Sequence, residues 1–229
     1  DDTLLGDDAA LQALFRALDR AGGSLVVVYN SSRPCASLRR STAENANLAL
    51  PDYLIGALGT EIQIGSTAQP LTEYTDYIDY RWDRRLVAGL AAKSGLVPHA
   101  AEYQTPFKAS YDVAGIQAYD DMARQLKQQA LDANVIFSGE KNLDLIPVRA
   151  GKGNAIKFLG QQLGIDPSRI VVAGDSGNDL EMFTAPRKGI IVANADGDLK
   201  RLNAGHIYHS SAAHAAGVLE GLRHWGVLG

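Results

Sequence analysis

The sequence predicts an α/β fold, in which a parallel sheet is flanked by helices and a second α/β module is inserted into the chain. Two short apolar runs, residues 24–29 and 170–173, do not alternate with polar residues. Such runs are typical of strands buried on both faces of a parallel sheet. After residue 154 helical and strand patterns alternate regularly, which indicates βαβ units.

The first elements follow from local patterns. Leu11, Leu14, Phe15 and Leu18 repeat at the spacing of one helix face, and the pair Gly22-Gly23 ends that helix. The next predicted elements are the strand 25–29, a helix that begins near Pro34, and a hairpin with strands at 53–57 and 61–64.

Between about residues 75 and 148 helical patterns flank the predicted strands, an arrangement that differs from the rest of the chain and predicts a separate module. Its predicted elements are helices at 82–93 and 120–131 and strands at 107–113 and 135–138. We therefore expect a core domain made of residues 1–75 and 149–229, and an inserted domain at 76–148. Later in the core we expect a helix at 154–163, strands at 170–173, 190–193 and 206–209, a short helix near 180–183, and a terminal helix with Ala215, Val218, Leu219 and Leu222 on one face.

Composition excludes several functional classes. The chain has 229 residues, of which 46% are hydrophobic and 21% charged, and it has no apolar run of the length that spans a bilayer. Lys and Arg number 22 against 26 Asp and Glu, a formal net charge of −4, without a basic cluster. We therefore expect neither nucleic acid nor membrane as a partner. The single cysteine, Cys35, and the absence of a signal-peptide pattern predict a cytoplasmic location.

The most informative motif is the loop Gly174-Asp175-Ser176-Gly177-Asn178-Asp179, which follows a predicted buried strand. Ligands bind at the carboxyl ends of parallel strands, and small residues let the two carboxylates converge. Oxygen ligands of this kind suit Mg²⁺. The alternative is a polar turn, because Gly, Asn and Asp favour turns for conformational reasons alone.

Three further segments carry weaker signals. Gly151-Lys152-Gly153-Asn154 precedes a helix and fits an anion such as phosphate, although a solvated lysine in a glycine turn is the commoner outcome. Asn30-Ser31-Ser32-Arg33 follows a strand and could bind phosphate oxygens, or Ser31 or Ser32 could cap the next helix, and both roles can coexist. Asp1-Asp2-Thr3 by itself resembles a frayed polar terminus.

In this order the four segments resemble the haloacid dehalogenase superfamily of phosphohydrolases. Asp1 and Thr3 match the end of its motif Asp-x-Asp-x-Thr, Ser31 the second motif, Lys152 the third, and Gly174, Asp175 and Asp179 the fourth. Asn178 and the inserted module are similar to the branch with an α/β cap. Within it, segments 107–111, 135–145, 149–154 and 210–217 resemble the sucrose-phosphate phosphatase family over nearly all of the chain.

The resemblance implies a Rossmann-like core with a cap at 76–148 and a Mg²⁺-dependent phosphatase that acts through an aspartyl-phosphate on a sugar phosphate. It places the nucleophilic Asp two positions before Asp1, which is outside the sequence given, and we expect that an upstream segment has been omitted. Asp1 would be the general acid and base, and Ser31 and Lys152 would bind phosphate, with Ser32 and Arg33 nearby. The implied metal ligands are Asp1, Asp175, Asp179 and Asn178.

For the sugar we expect contacts from polar residues of the cap, since polyol recognition requires many donors and acceptors. The candidates are Lys108, Tyr111, Ser138, Gly139, Glu140, Lys141 and Asn142. His206, His209 and His214 are expected to be structural. Two alternatives remain open: a phosphohexomutase, and, if the nucleophile is truly absent, a non-catalytic sugar-phosphate-binding domain that regulates a sugar-phosphate synthase.

Overall fold

The computed structural model describes residues 1–139 and 141–229, which form a mixture of helices and strands, as predicted. The α-helices are α1 (Asp8–Ala21), α2 (Cys35–Glu44), α3 (Thr72–Ile78), α4 (Arg84–Lys93), α5 (Gln117–Gln128), α6 (Lys152–Gln162), α7 (Gly197–Lys200) and α8 (His214–His224). Short 3₁₀ helices lie at Gly22–Ser24, Ala101–Tyr103, Pro167–Arg169 and Gly177–Met182.

The strands form three sheets. They are β1 (Val28–Asn30), β2 (Tyr53–Gly56), β3 (Glu61–Ile64), β4 (Val97–Pro98), β5 (Ala109–Asp112), β6 (Ala133–Ser138), β7 (Asn142–Pro147), β8 (Val171–Gly174), β9 (Lys188–Ile191) and β10 (Ile207–His209). The strand orders are β1-β2-β3, β10-β9-β8 and β4-β5-β7-β6. The predicted hairpin is confirmed, because β2 and β3 are neighbours.

The chain divides into two compact units. Unit 1 comprises Asp1–Val28, Arg39–Tyr53 and Ile156–Gly229, and unit 2 comprises Tyr29–Leu38 and Leu54–Ala155. The boundaries that the sequence suggests for a core and a cap stay a prediction. None of the described helices combines the length and the apolar character that a transmembrane span requires.

Unit 1 contains a parallel sheet, which the apolar run 170–173 predicts. The other run, 24–29, was predicted to be a strand buried on both faces, but it contributes only to the short strand β1 of a different sheet, and its Val26 is 46% exposed. β8 pairs with β9 and β10 with β9, in each case in parallel, with Ala173 opposite Ile190 and Tyr208 opposite Ile190. Helix α8 packs on β9, where a Cβ atom on Gly221 would lie 2.5 Å from the side chain of Ile190. Helix α1 packs against α8 and buries the apolar face that its periodicity predicts. The carboxyl end of β8 is therefore supported by its pairing with β9, on which α8 packs.

Unit 2 contains an antiparallel sheet with its own core. β5 and β6 both pair with β7, and Ser110 lies opposite Asp144 in the first of these pairs. Helices α4 and α5 cover the sheet with Val87, Ala91, Met122 and Leu126. Burial of their side chains against β5 and β7 provides the hydrophobic stabilisation of this sheet.

The structure adds elements that the sequence patterns did not predict. Strand β7 is one, although its centre Leu143–Ile146 is fully buried. Helix α3 is another, and the hydroxyl of its Tyr74 donates to the Gly59 carbonyl at 2.5 Å. The short helix expected near 180–183 is a 3₁₀ helix that begins three residues earlier, at Gly177, where Ser176 and Asp179 form a capping box.

Candidate active site

The loop of residues 174–179, here called the carboxylate loop, follows β8 in unit 1. The carboxylate of Asp179, which is 3% exposed, accepts the backbone N–H groups of Asp175 at 3.0 Å and Ser176 at 3.3 Å. A Cβ atom on Gly174 would lie 2.8 Å from the Asp179 carboxylate. Asp179 therefore folds the loop and requires glycine at position 174, so the motif is more than a polar turn.

Asp175 is half-buried at the centre of this loop. The Thr3 hydroxyl donates to its Oδ1 atom, and its own carbonyl accepts the N–H of Asp196 at 2.7 Å. Burial raises the pKa of the Asp175 carboxyl, the hydrogen bond from Thr3 opposes the rise, and the negative charge of Asp179 adds to it. A cation at this carboxylate would relieve both unfavourable effects.

The segment Asp1–Thr3 is fixed by its backbone as well as by Thr3. The Asp1 carbonyl accepts the N–H groups of Leu4 at 3.0 Å and Leu5 at 2.8 Å. With Thr3 bonded to Asp175 in the same unit, the first and fourth sequence motifs come together across 172 positions. The interpretation of this segment as a frayed terminus is therefore wrong.

Two residues that the sequence analysis did not assign to the site grip the backbone at Asp2. The side-chain amide of Asn194 donates to the Asp2 carbonyl at 2.9 Å, and Nδ1 of His214 lies 2.7 Å from the same oxygen. The N–H of His214 donates to Oδ1 of Asn194 at 2.9 Å, which joins the two residues. We call this pair the Asp2 grip. One signal was available in the sequence, because Asn194 directly follows a strand predicted to run parallel to 170–173.

His214 adopts an uncommon backbone conformation at this position. Its φ is +50°, a left-handed value that is uncommon for a residue with a side chain. Its ring fills the space beside Gly6, where a Cβ atom would lie 2.6 Å from the imidazole. Strain of this kind persists only where the surroundings over-determine it. His214 is thus structural, as expected, and the group that it contacts is the backbone carbonyl of Asp2 in the first motif.

A hydrogen-bond network around the carboxylate of Glu220 holds the chain just before His214. Glu220 on α8 accepts the hydroxyls of Tyr208 at 2.6 Å and Ser210 at 2.9 Å, and the N–H groups of Ser211 at 3.0 Å and Ala212 at 3.1 Å. These bonds, first among them that from the Ser211 backbone, lower the pKa of Glu220 to about 2. The network fixes the start of α8 and with it the Asp2 grip.

In unit 2, residues 31–33 form what we call the hydroxyl loop. Ser31 is buried, its N–H donates to the Ile55 carbonyl at 2.9 Å, and its carbonyl accepts the N–H of Leu58 at 3.1 Å. Its Oγ accepts the N–H of Arg33 at 3.2 Å. The first N–H of α2, at Cys35, donates instead to the Glu61 carboxylate at 2.7 Å. Glu61 is thus a capping group for α2, whereas the Ser31 oxygen accepts the N–H of Arg33.

Lys152 begins helix α6, two residues earlier than predicted, and is 6% exposed. Its carbonyl accepts the side-chain amide of Asn30 at 3.2 Å, so its backbone lies beside the residue that precedes Ser31. A Cβ atom on Gly59 would lie 2.4 Å from the Gly151 carbonyl group, which shows how closely these chains approach. The second and third motifs therefore meet within unit 2, and Lys152 is a buried residue, unlike the solvated lysine of the alternative.

The sugar-binding candidates lie in two different environments. Tyr111 is 5% exposed and belongs to the core between the sheet and helices α4 and α5. Lys108 is 4% exposed and lies near Asp144. The other candidates surround the turn between β6 and β7, namely Ser138, Gly139, Lys141 and Asn142, while Glu140 lies outside the described residues.

The predicted metal ligands are only partly assembled by the described side chains. Asp175 and Asp179 share one loop, Asn178 is half-buried between them, and Asp1 is exposed. Among residues 1–139 and 141–229, no group of three or more His, Cys, Asp or Glu side chains is arranged to hold a metal ion. The loop offers one buried carboxylate that shapes it and one half-buried carboxylate available to a ligand.

Comparison with protein families matches residues 1–226 to the family described as Sucrose-6F-phosphate phosphohydrolase. The mannosylfructose-phosphate phosphatase of Agrobacterium fabrum is 34% identical over 208 residues, which cover 88% of this chain and 84% of that protein. Sucrose-phosphatase 1 of Nicotiana tabacum is 31% identical over 216 residues, covering 88% of this chain and 50% of that protein. The chain thus spans about half the length of the tobacco relative.

Solved structures agree with these sequence matches. The X-ray structure of the sucrose-phosphatase from Synechocystis, in complex with sucrose and phosphate, superposes with a TM-score of 0.91 and is 32% identical, covering 99% of this chain and 95% of that one. A haloacid dehalogenase-like hydrolase from Bacillus subtilis has a TM-score of 0.69 at 16% identity, over 95% of this chain and 84% of that one, and supports the fold alone.

Proposed function

The chain belongs to the sucrose-6F-phosphate phosphohydrolase family, and from that premise we propose that it is the catalytic part of a Mg²⁺-dependent phosphatase acting on a disaccharide phosphate. The family and its haloacid dehalogenase-like fold make the chain a phosphoric monoester hydrolase. The substrate, the metal and the role of each residue are what we propose here.

The donor set of the carboxylate loop fits Mg²⁺. It consists of oxygens, and its half-buried Asp175 carboxyl has a pKa raised by burial and by the charge of Asp179, which a divalent cation would offset. Asp175 and the Asp1 carbonyl would hold the ion, and Asp179 and Asn178 would support it. When bound, the ion would supply charge neutralisation between carboxylates and phosphate. Thr3 keeps the Asp175 carboxylate oriented.

The hydroxyl loop and Lys152 would hold the phosphate. The Ser31 hydroxyl has its oxygen engaged by the Arg33 N–H, which leaves its proton to be donated to a phosphate oxygen. The Ser32 N–H would donate to the same group, Lys152 would neutralise it from the start of α6, and Arg33 would lie within reach. Such positioning and charge neutralisation are the main demands of phosphoryl transfer.

Asp1 would act as the general acid and then as the general base. The family resemblance assigns the nucleophile to an Asp two positions before Asp1, whose carboxylate would attack phosphorus and form an aspartyl-phosphate while the bond to the sugar oxygen breaks. Asp1 would donate its proton to that oxygen and then accept one from the water that hydrolyses the intermediate. The Asp2 grip supports this role, since it fixes the backbone that carries Asp1.

For the sugar, the turn between β6 and β7 supports the proposal best. Ser138, Gly139, Lys141 and Asn142 bring polar groups to this turn, and Lys141 and Gly139 are exposed. A disaccharide phosphate agrees with the names of the relatives, which act on sucrose phosphate or mannosylfructose phosphate. We also propose a cytoplasmic location, supported by the presence of a single cysteine, Cys35, which has no second cysteine in the sequence with which to form a disulfide. A sugar-phosphate synthase partner stays a prediction.

The single observation that carries the proposal is the hydrogen bond from Thr3 to Asp175, because it joins the first and fourth motifs in one site. The test is phosphate release by the natural protein that contains this chain, with sucrose 6-phosphate, a mannosylfructose phosphate and fructose 6-phosphate, each with Mg²⁺ or with EDTA. We expect Mg²⁺-dependent release, fastest with a disaccharide phosphate. Transfer of phosphate to another sugar hydroxyl would indicate a mutase, and binding without turnover would indicate a binding domain.

A further inference from the structure

Unit 2 contains a buried ion pair between Asp144 of β7 and Lys108, the residue that precedes β5. Lys108 and Asp144 are 4% and 6% exposed, and the Lys108 ammonium lies 3.4 Å from the Asp144 carboxylate. Ser110, which is opposite Asp144 in the β5–β7 register, donates its hydroxyl to the same carboxylate oxygen. Breaking such a pair by removing one partner leaves an uncompensated buried charge, so the pair fixes the ammonium in one place.

The ammonium also reaches the hydroxyl loop. Nζ of Lys108 donates to the backbone carbonyl of Ser32 at 3.2 Å. The N–H of the same peptide group belongs to Arg33, and it donates to Oγ of Ser31 at 3.2 Å. A continuous chain of contacts therefore runs from the Asp144 carboxylate through Lys108 and the 32–33 peptide to the Ser31 hydroxyl.

This chain has a definite effect on Ser31. A carbonyl bound by a cation polarises its peptide group, and the N–H of that group becomes a stronger donor. The stronger bond from Arg33 occupies a lone pair of Ser31 Oγ and turns the hydroxyl proton away from the loop. Because the backbone of Ser31 is already fixed on both sides, the orientation of the hydroxyl is the remaining freedom.

We propose that Lys108 is a positioning residue for the hydroxyl loop, with Asp144 as its counter-ion, and that it does not bind the sugar. This inference rests on the proposed function, in which Ser31 binds phosphate. It predicts that loss of Lys108 weakens the handling of every phosphate ester equally, whatever its leaving group. A sugar ligand would instead affect the disaccharide phosphate alone.

The test compares Lys108→Met with the matched control Lys127→Met, whose lysine is exposed on α5. Three quantities are measured in the natural protein: kcat/KM for sucrose 6-phosphate, kcat/KM for p-nitrophenyl phosphate, and the affinity for inorganic phosphate by calorimetry. We expect Lys108→Met to lower both kcat/KM values by the same factor, on the order of 10²-fold, and to weaken phosphate binding. The control should change none of the three.

A second variant separates positioning from stability. In Lys108→Met/Asp144→Leu both charges are removed, and replacement of a buried ion pair by apolar residues is often neutral for stability. We expect this variant to regain Tm relative to Lys108→Met but to keep its weakened phosphate binding. Recovery of phosphate affinity together with Tm would overturn the inference, as would a loss confined to sucrose 6-phosphate. If the natural protein binds phosphate but hydrolyses neither ester, the proposed function fails, and unchanged phosphate affinity in Lys108→Met still decides against Lys108.

Discussion

The carboxylate loop of unit 1 and the hydroxyl loop of unit 2 are both fixed by hydrogen bonds, but the two loops differ in the charge of the groups that donate these bonds. The bonds described for the carboxylates of Asp175 and Asp179 come from neutral donors, namely a hydroxyl and two backbone N–H groups. In the hydroxyl loop, an ammonium contacts the backbone and a buried carboxylate balances its charge.

In the proposed function, this difference would explain which ligand each loop binds. Because its donors are neutral, the carboxylate loop keeps its negative charge. Burial makes the ionised carboxylate unfavourable unless a cation binds to it. In the hydroxyl loop, the balanced ion pair would leave neutral O–H and N–H donors oriented for an anion, and oriented donors stabilise an anion without reorganisation. We therefore expect ligand binding by the carboxylate loop to be sensitive to substitutions that change charge, and ligand binding by the hydroxyl loop to be sensitive to substitutions that change geometry.

The largest effect should come from Asp175→Asn. The amide retains an acceptor for Thr3 but loses the charge, so we expect Mg²⁺ affinity to fall by at least about 100-fold and phosphate release by on the order of 10³-fold. The same change should leave Tm without Mg²⁺ equal or higher, because the raised pKa means that the ionised carboxylate disfavours the folded state above that pKa.

Calorimetric titration with Mg²⁺ and thermal unfolding measure these two effects. The matched control is Asp198→Asn, whose carboxylate is exposed and pairs with Arg201 three residues later on the surface. Unchanged Mg²⁺ affinity in Asp175→Asn would show that the carboxylate loop does not hold the metal, and the contrast between the two loops would then lose its basis.

The next largest effect should come from the Asp2 grip. Asn194→Ala and His214→Ala each remove a contact to the Asp2 carbonyl, and we expect kcat to fall by about 10-fold in each with KM little changed. The two residues share one acceptor and bond to each other, so the double variant should lose less than the sum of the two free-energy changes. His209→Ala is the control, because His209 contacts only the Leu202 carbonyl in the described bonds. Fully additive losses would argue against a shared grip.

Much of the fold follows from local sequence patterns, whereas contacts between distant strands do not. The apolar run of β8 and the helix face of α1 were predicted correctly, because each depends on neighbouring residues, and helix α6 was predicted with its start two residues late. β7 was missed because a buried strand with Asp144 at its centre does not look apolar. Among the described residues, Lys108 and Ser110 accommodate this aspartate, and both come from another part of the sequence.

The same distinction applies to the candidate site. Asp175 could be identified as a candidate from its loop after a predicted buried strand, and Lys152 from the resemblance to the family, since its own signal was weak. The groups that orient them could not, because a carbonyl grip by His214 or a contact from Lys108 to the Ser32 carbonyl involves backbone atoms that carry no sequence signal. Asn194 was also missed, although its place after a predicted strand was a signal that could have pointed to it.

A smaller effect is expected at the exposed turn of unit 2 and separates a ligand from a positioning residue. Lys141 is exposed, in contrast to the buried Lys108. Lys141→Ala should raise KM for sucrose 6-phosphate by about 10-fold and leave KM for p-nitrophenyl phosphate unchanged. Steady-state kinetics with both substrates measure this, with Lys127→Ala as the control. Equal changes for the two esters would remove Lys141 from the sugar site and make the two lysines alike.

The smallest effect concerns a carboxylate of unit 1 that is the opposite of Asp175. Glu220 is surrounded by donors that lower its pKa from 4.5 to about 2, so its ionised form stabilises the fold. This contribution is complete above pH 4.5 and is lost as the pH falls towards 2, whereas the ionised Asp175 disfavours the fold. Glu220→Gln should therefore lower Tm at pH 7 by about 2–4 °C, the shift that roughly 1 kcal/mol produces in a chain of this length.

The difference in Tm between the natural protein and Glu220→Gln should shrink steadily between pH 4.5 and pH 2, while Glu181→Gln, at an exposed position, should show no such trend. A difference that stays constant with pH would mean that the hydrogen bonds of Glu220, and not its charge, hold the start of α8. The contrast between Glu220, whose ionised form is stabilised by donors, and Asp175, whose ionised form would be stabilised by a cation, would then be supported by Asp175 alone. A difference that shrinks as expected would show both kinds of carboxylate within one unit.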